Sequence, residues 1–586
     1  MKLSSFKILL IQVLLTSTLF PYTGTAADDD WVEQSNAITA GVMTSQAKFT
    51  PEVFSGLGIE AVDGQITDLE PDVFRREQQN TMELVERLEE TLATIEDPRV
   101  RQDIEILIRS LADEHHTNAL ARKHLLPYYN LPQSLFFSFQ SLLDPRNDAD
   151  RYPAAIERLK KYTGQAPGST PITQLAIDRT WERFDQPGLL GPYRVQMEKD
   201  LDNVPRYLAG LEQAFAESGL EGWQEDLAVL QEQLQSYAEW LRKEMLPRAR
   251  DDYRLPEAVY ADNLKSFGVD MDPRELIKAA QLGFSDLQFQ MQSLSQQIAQ
   301  KNGYESVNYR AVLRQLGKER IPDETLIDFY QNILGELETI IRDNQLVSLP
   351  DRPAAIRLAT EAEAAAVPAP FMSPPQLTGN TGQSGEFVLV NKSPADDSGE
   401  EMNDFGSPAS TWSLTAHEAR PGHEMQFAAM VETGVSQARA IYSFNSANVE
   451  GWGLYAEAIM QPYLPLEAQL FGLKARLMRA ARAFLDPMLN LGLIEPEQAL
   501  NFIIDEVGIS RPLAQQEVDR YTFRAPGQAT SYYYGYMNLM ALRTEVELRL
   551  RDRFNQQKYH DFVLAQGLLP PELLRQAVLE EFVPQQ

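Results

Sequence analysis

Apolar side chains recur at intervals of three and four along most of the chain, a spacing that places them on one face of an α-helix. The pattern begins near residue 70 and is interrupted by short breaks that contain Pro or Gly. It predicts a mainly α fold built from amphipathic helices. The clearest instances are Val85, Leu88, Leu92 and Ile95; Ile104, Leu107, Ile108 and Leu111; and the segments Leu227 to Leu246, Leu276 to Ile298 and Leu326 to Ile341.

The helical pattern is broken in one long segment, from Leu349 to Ser410, which contains eight prolines. Two short runs within it have the composition of strands, and an acidic loop follows them. A small β-sheet is therefore expected near residues 350–395. The strand candidates are Ala355 to Thr360 and Glu386 to Asn391, and the acidic loop runs from Pro394 to Asp404.

Charge and cysteine content narrow the function classes. Among 586 residues, 84 acidic side chains oppose 53 basic ones, giving a net charge of -31 and a pI near 4.7. Such a chain repels phosphate backbones and anionic membrane surfaces, so no nucleic-acid partner is expected. The absence of cysteine excludes disulfides, cysteine nucleophiles and thiolate metal sites. Any metal must be held by His, Asp or Glu.

Residues 1–27 have the order of a secretory signal peptide. Lys2 and Lys7 precede an apolar run from Ile8 to Phe20, and small residues follow up to Ala27. The alternative, a membrane anchor, is disfavoured because about 13 apolar residues are too few to cross a bilayer. After removal of this segment we expect a chain with no membrane span, located in the periplasm or secreted.

The strongest chemical signal is the heptapeptide from His417 to His423, in which Glu418 directly follows the first histidine. Zinc peptidases use two imidazoles as ligands and a neighbouring carboxylate to deprotonate water. Histidines four apart share a helix face, whereas six apart, at about 600°, do not. Pro421 and Gly422 permit a bulge or local unwinding, so we predict a distorted helix that brings His423 back toward His417.

A third ligand is predicted 27 residues after His423. Glu450 lies in the run Glu450-Gly451-Trp452-Gly453-Leu454-Tyr455-Ala456-Glu457, and a carboxylate on a second helix would complete a His-His-Glu site with a position left for water. Glu457 lies about two turns further on the same face and could hold a ligating imidazole. An ordinary solvated helix acid is an equally good interpretation of Glu457.

Three blocks of the sequence resemble the bacterial domain-of-unknown-function 885 family. They are His417 to His423 with Gln426, Glu450 to Glu457, and Pro526-Gly527-Gln528-Ala529-Thr530-Ser531-Tyr532. That family looks like a set of gluzincin-type zinc metallopeptidases. The resemblance implies one zinc ion held by His417, His423 and Glu450, with Glu418 as catalytic base and Gln426 close behind the ligands.

The resemblance also implies an architecture similar to thimet oligopeptidase and carboxypeptidase Taq relatives. We accordingly expect a large, mainly α, two-lobed body with a deep central channel. No stretch has linker composition. The expected lobes are an N-terminal helical lobe, residues 28–345, and a catalytic lobe, residues 346–586, that carries the short β segment and then the zinc-site helices.

The third block suggests how developing negative charge on a carbonyl oxygen could be stabilised. Tyr532 is the candidate donor, although its neighbours Tyr533, Tyr534 and Tyr536 compete, and all four could simply line an aromatic helix face. A guanidinium near the block could clamp a terminal carboxylate, but a surface ion pair is the simpler role for each arginine. The candidates for substrate binding are Arg524, Arg543 and Gln528, with Arg520 also flanking the block.

The sequence thus predicts a secreted or periplasmic zinc-dependent peptidase acting on oligopeptides. A zinc hydrolase of another amide or ester fits the same residues, and a non-catalytic periplasmic binding protein on the same scaffold is a further alternative. The remaining histidines, at 115, 116, 124 and 560, are expected to be structural. Oligomeric state and the position of the cleaved bond stay open.

Overall fold

A computed structural model describes residues 30–586 apart from 146, 360–362, 365, 366, 368, 376, 378, 379, 381–383, 391–403 and 433. The proposed signal peptide, residues 1–27, lies outside the described residues, as does nearly all of the acidic loop. The fold is mainly α, as the hydrophobic pattern predicts. Within the described ranges, no helix combines the length and the apolar character needed to cross a membrane.

The α-helices follow one another with short connections. In chain order they are α1 Asp30–Gln46, α2 Pro51–Gly56, α3 Val73–Leu92, α4 Pro98–His124, α5 Leu131–Leu142, α6 Pro153–Thr163, α7 Ile172–Trp181, α8 Arg194–Asp202, α9 Val204–Glu217, α10 Gln224–Trp240, α11 Glu257–Ser266, α12 Pro273–Asn302, α13 Tyr309–Leu316, α14 Leu326–Asp343, α15 Pro408–Glu418, α16 His423–Glu432, α17 Ser446–Met460, α18 Leu466–Asn490, α19 Pro496–Phe502, α20 Arg511–Asp519, α21 Ser531–Leu550, α22 Gln556–Ala565, α23 Pro571–Ala577 and α24 Val583–Gln585.

Short π and 3₁₀ segments extend or link several of these helices. The π segments are Leu241–Met245, Ala438–Tyr442, Ile503–Val507, Arg520–Arg524 and Val578–Phe582. The 3₁₀ segments are Glu60–Val62, Ala149–Arg151, Leu246–Arg248, Asp323–Thr325, Gln461–Tyr463, Gln528–Thr530 and Arg551–Arg553.

The described residues form two compact units. The first comprises the described parts of Met1–Val259, Pro375–Gln383 and Ser436–Ser443. One of its apolar cores is rich in leucine and contains several aromatic rings: Phe139 and Phe215 have ring centroids 4.9 Å apart, and Trp223 packs on Phe215 at 5.5 Å. A second core joins α3 to α4 through the positions that the three-and-four pattern predicts, namely Leu88, Ile104, Leu107 and Leu111.

The second unit comprises the described parts of Tyr260–Pro374, Ser384–Val435 and Phe444–Gln586. It contains a three-stranded sheet, β1 Ala355–Leu358, β2 Phe371–Ser373 and β3 Glu386–Leu389, in the order β1-β3-β2. β1 runs parallel and β2 antiparallel to the central β3. The two strands predicted from the sequence are confirmed. The three-residue β2 was missed because so short a run shows no alternation.

Buried side chains attach this sheet to the helices that carry the candidate chemistry. Phe387 and Leu389 of β3 are fully buried in one apolar cluster with Tyr330 and Leu334 of α14. Ala419, the residue after α15, belongs to the same cluster. The sheet thereby fixes the position at which α15 ends.

Glycines allow α17 and α21 of the second unit to pack backbone against backbone. A Cβ added to Gly535 would lie 1.9 Å from the carbonyl oxygen of Ala447, and one added to Gly451 would lie 2.6 Å from the carbonyl carbon of Gly535. No other residue fits at either position. This close approach brings the carboxylate-bearing face of α17 next to the first turns of α21, where Tyr532 lies.

Candidate metal centre

The three predicted ligands meet inside the second unit. The ligand atoms of His417, His423 and Glu450 all lie within 4.8 Å of one another, and all three residues are buried. Glu450 Oε2 is 3.6 Å from His417 Nε2 and 3.5 Å from His423 Nε2. Tetrahedral zinc with bonds of about 2.0–2.1 Å requires ligand atoms roughly 3.3–3.4 Å apart, so the donor set and its spacing fit such an ion.

The unfavourable six-residue spacing is resolved by a complete break in the helix. α15 ends at Glu418 and α16 begins at His423, with a cis peptide between Arg420 and Pro421 in the turn. The sequence predicted a distortion of one helix; the structure has two. The two imidazoles approach edge to face, with centroids 4.7 Å apart.

The turn itself leaves no room for a side chain at Gly422 and is held by buried ion pairs. A Cβ on Gly422 would lie 1.9 Å from the carbonyl oxygen of His417. Arg420, 1% exposed, donates to Glu424 at 2.8 Å and to Glu338 of α14 at 2.6 Å. Because the guanidinium is enclosed and paired on two sides, the ends of α15 and α16 are fixed relative to each other.

A second carboxylate orients the first histidine. Glu457 Oε1 lies 2.8 Å from His417 Nδ1, and its other oxygen accepts a hydrogen bond of 2.5 Å from Ser413 Oγ. Glu457 is 3% exposed, so it is not a solvated helix acid. When Nδ1–H of His417 donates this hydrogen bond to Glu457, Nε2 is the ring nitrogen that faces Glu450 and His423. Nδ1 of His423, by contrast, has no hydrogen-bond partner among the described residues.

The imidazoles and carboxylates of this cluster shift one another's pKa values. Burial opposes protonation of His417, but hydrogen bonds to Glu450 and Glu457 outweigh it and raise the pKa of His417 to about 9. Burial would raise the pKa of Glu450, yet His417 and His423 hold it well below its ordinary value. The pKa of Glu457 is likewise lowered, because its contact with His417 outweighs burial. The two carboxylates thus carry negative charge in a buried site, and positive charge close by stabilises them.

The predicted catalytic base Glu418 and the predicted donor Tyr532 border this cluster. Burial raises the pKa of Glu418, while the charges of His417 and His423 oppose the rise. Tyr532 is 9% exposed, and burial together with the negative charge of Glu450 raises its pKa, so its phenol keeps its proton. Its hydroxyl has no hydrogen-bond partner among the described residues, and it remains available as a donor.

A glycine on α17 makes room for the first imidazole, and this gives a direct test. A Cβ on Gly453 would lie 2.6 Å from Cε1 of His417. We expect Gly453→Ala to displace the ring and weaken zinc binding by about 10–100-fold, measured by competition with a chromogenic chelator. Gly472→Ala on α18 is the matched control, because its Cβ would meet Ser413 Oγ at an ordinary 3.5 Å. Equal zinc affinity in both variants would contradict the placement of His417.

The other predicted site residues are not among the three side chains that converge. Gln426 donates to Asn448 at 2.9 Å, which ties α16 to α17. Gln528 is buried and donates to Ser446 Oγ at 3.0 Å.

The side chain of Arg524 is 50% exposed, with Asp519 3.7 Å away. Arg543 donates to Glu547 at 2.7 Å and to the hydroxyl of Tyr455 at 3.3 Å. Binding of substrate by Arg524, Arg543 or Gln528 stays a prediction.

His560 is buried in a network separate from the ligands. Its Nδ1 lies 2.6 Å from the carbonyl oxygen of Leu346, and its Nε2 lies 2.8 Å from the Tyr455 hydroxyl. The carbonyl can only accept, so Nδ1 carries the proton and Nε2 accepts from Tyr455. Burial, with the charge of Arg543 acting in the same direction, lowers the pKa of His560 to about 4.

This shift predicts a pH dependence of stability. In the unfolded chain His560 gains a proton near pH 6.5, whereas in the folded chain it stays neutral until about pH 4. The free energy of unfolding should therefore fall by up to about 3 kcal/mol as the pH drops through that range. His560→Gln should remove that part of the slope in urea titrations, and the same substitution at exposed His116 should not. Identical slopes for wild type and His560→Gln would contradict the assignment.

Comparison with known proteins assigns the class. The family described as "Bacterial protein of unknown function (DUF885)" matches residues 51–578, and the chain belongs to that family. No curated protein is similar enough in sequence to count as a match. The family resemblance inferred from the three sequence blocks is thus confirmed, while the peptidase chemistry that it implies stays a prediction.

Two solved structures of other proteins have the same fold as this chain. A "putative lipoprotein of unknown function" from Shewanella oneidensis is 18% identical with a TM-score of 0.74, covering 94% of this chain and 99% of that one. A "putative lipoprotein" from Colwellia psychrerythraea is also 18% identical with a TM-score of 0.74, covering 95% and 100%. At this identity the likeness establishes the fold alone. A "putative oligoendopeptidase F" from Bacillus anthracis reaches a TM-score of only 0.26, which carries no argument.

Proposed function

We propose that this chain is a zinc-dependent peptidase that hydrolyses oligopeptides. The observation that supports it is the convergence of two imidazoles and one carboxylate within 4.8 Å, all buried. Glu418 directly follows one of the ligands, as a base acting on water at this centre requires. Burial raises the pKa of Glu418, a direction that favours exchange of a proton with water near neutral pH.

Each residue has a defined task in this proposal. Zinc held by His417, His423 and Glu450 would supply Lewis acidity that polarises a carbonyl and acidifies water. Glu418 takes the proton from the attacking water and passes it to the leaving amine. The protonated hydroxyl of Tyr532 donates to the carbonyl oxygen as negative charge develops there.

We further propose that the protein works outside the cytoplasm. The N-terminal segment has the order of a secretory signal, and the two structures of the same fold are described as putative lipoproteins. This chain has no cysteine to carry a lipid, so we propose a location in the periplasm or the medium.

The proposal is tested with a mixed peptide library and the mature chain. We expect cleavage products with zinc, none after treatment with a chelator, and recovery when one equivalent of zinc is restored. Cleavage that survives the chelator would contradict zinc dependence. A zinc-loaded protein that cleaves small esters or other amides but no peptide would instead identify a different hydrolase, and one that binds peptides without cleaving them would identify a binding protein.

A further inference from the structure

α18 carries three arginines at intervals of three, and their guanidinium groups face the tyrosines of α21. Arg482 lies 4.6 Å and Arg479 6.0 Å from the ring centre of Tyr532, and Arg476 lies 5.1 Å from the ring centre of Tyr536. The arginines therefore follow α21 from its first turn to its second. Arg476 is about 4.5 Å along the helix axis from Arg479.

Among the described residues, a carboxylate forms an ion pair with only one of these three guanidiniums. Glu517 accepts from Nε and Nη2 of Arg482 at 2.7 and 2.8 Å, and it also accepts from the hydroxyl of Tyr521. Arg520 lies near the same carboxylate, but its Nη1 is 3.8 Å away and has no hydrogen-bond partner among the described residues. One carboxylate thus serves two guanidiniums and has little capacity for a third.

Arg476 is a buried cation without a counter-ion in the described part of the chain. It is 6% exposed, and its Nε and Nη2 atoms are buried with no hydrogen-bond partner. Nε of Arg479 is also buried without a partner in the ranges that the structure describes, where Arg479 donates only to the carbonyl of Ala475 in its own helix. Buried guanidinium donors are normally hydrogen-bonded, so these donors can bind a group that brings its own acceptors.

The location of these arginine donors indicates which chemical group they bind. Arg479 lies 6.0 Å from the ring centre of Tyr532, and α21 packs against α17 at Gly451, the residue after Glu450, which places Arg479 near the candidate metal cluster. Arg476 precedes Arg479 by about one helical turn and faces Tyr536 instead of Tyr532. One residue of an extended peptide spans about 3.3–3.6 Å, so a peptide whose carbonyl is at the cluster can place a carboxylate near Arg476 within one or two residues.

We propose that Arg476, assisted by Arg479, binds a carboxylate of the peptide substrate and thereby fixes where the chain is cut. The inference rests on the proposed peptidase function. Nε and Nη2 are the pair of donors that a planar carboxylate engages with two parallel hydrogen bonds. The carboxylate can come from the C terminus of the peptide or from an acidic side chain. The Glu418→Gln protein, which can bind peptides without cutting them, allows the two sources to be compared.

Zinc-loaded Glu418→Gln protein would be titrated by calorimetry with three peptides: N-acetyl-trialanine, its C-terminal amide, and an amide that ends in glutamate. We expect the free acid to bind about tenfold or more tightly than the plain amide. Tight binding of the glutamate amide as well would identify an acidic side chain as a source, and weak binding would restrict recognition to the C terminus. Equal affinities for all three peptides would overturn the proposal.

The role of Arg476 is isolated by Arg476→Met in the same background. The variant should bind acid and amide with equal affinity, and its Tm should not fall, because no hydrogen bond to the protein is lost. Arg482→Met is the matched control: it removes two hydrogen bonds between a buried guanidinium and Glu517 and should lower the Tm. Preference for the acid that survives Arg476→Met would refute the assignment. Since the readout is binding, failure of the wild type to cleave any peptide would refute the peptidase function separately.

Discussion

Glu418→Gln should lower the rate of peptide hydrolysis by about 10²–10⁴-fold while leaving one zinc ion bound. The amide cannot accept a proton from water at neutral pH, and loss of a general base costs a rate factor in that range. The side chain keeps its size, and Glu418 is not among the three residues whose ligand atoms converge. The measurement is kcat/KM on a peptide from the library digest, together with zinc content by mass spectrometry.

The control for this variant is Glu432→Gln, the same chemical change at the far end of α16. Glu432 is half-exposed and pairs with Arg352, away from the ligand atoms. It should retain wild-type hydrolysis. If Glu418→Gln cleaves at the parental rate, the base has been assigned to the wrong residue, whatever the metal content of the variant.

Glu450→Gln should abolish stoichiometric zinc binding and, with it, hydrolysis. Two imidazoles and a neutral amide form a much weaker site than two imidazoles and a carboxylate, because the anionic oxygen supplies most of the charge that balances the ion. In wild type this oxygen is 3.5–3.6 Å from both Nε2 atoms. Chelator treatment should lower the Tm of wild type but leave that of Glu450→Gln unchanged.

Comparing the zinc affinities of Glu450→Gln and Glu457→Gln distinguishes a metal ligand from a residue that orients a ligand. Glu457→Gln removes the acceptor behind His417 and not a ligand, so zinc affinity should fall by about 10–100-fold and not vanish. The expected order of zinc affinity is wild type, then Glu457→Gln, then Glu450→Gln. The reverse order of the two variants would mean that the roles of the carboxylates have been exchanged.

Local patterns predicted most of the helices and strands and the residues of the candidate metal centre. The three-and-four spacing around Leu88 and Leu107 gave helices whose apolar faces are buried as expected. His417, His423 and Glu450 were named from their chemistry and spacing, and the structure brings them together. The same reasoning placed a distortion at Pro421 and Gly422, because neither residue supports a regular helix there.

Features that depend on long-range packing were not visible in the sequence. The helix break is complete because Gly422 lies against the carbonyl of His417 and Arg420 is enclosed by Glu338, 82 residues away. The unpaired state of Arg476 follows from the approach of α18 to α21 and from the pairing of Glu517 with Arg482. Three arginines at intervals of three in an apolar helix were the available signal, but the sequence does not show which of them lacks a carboxylate.

The most direct test of this account is anomalous diffraction at the zinc edge from crystals of the mature protein grown with one equivalent of zinc. We expect a single strong peak between the Nε2 atoms of His417 and His423 and the carboxylate of Glu450, about 2.0–2.2 Å from each. A peak elsewhere, or none in protein that cleaves peptides, would contradict the central claim that these three side chains hold the metal.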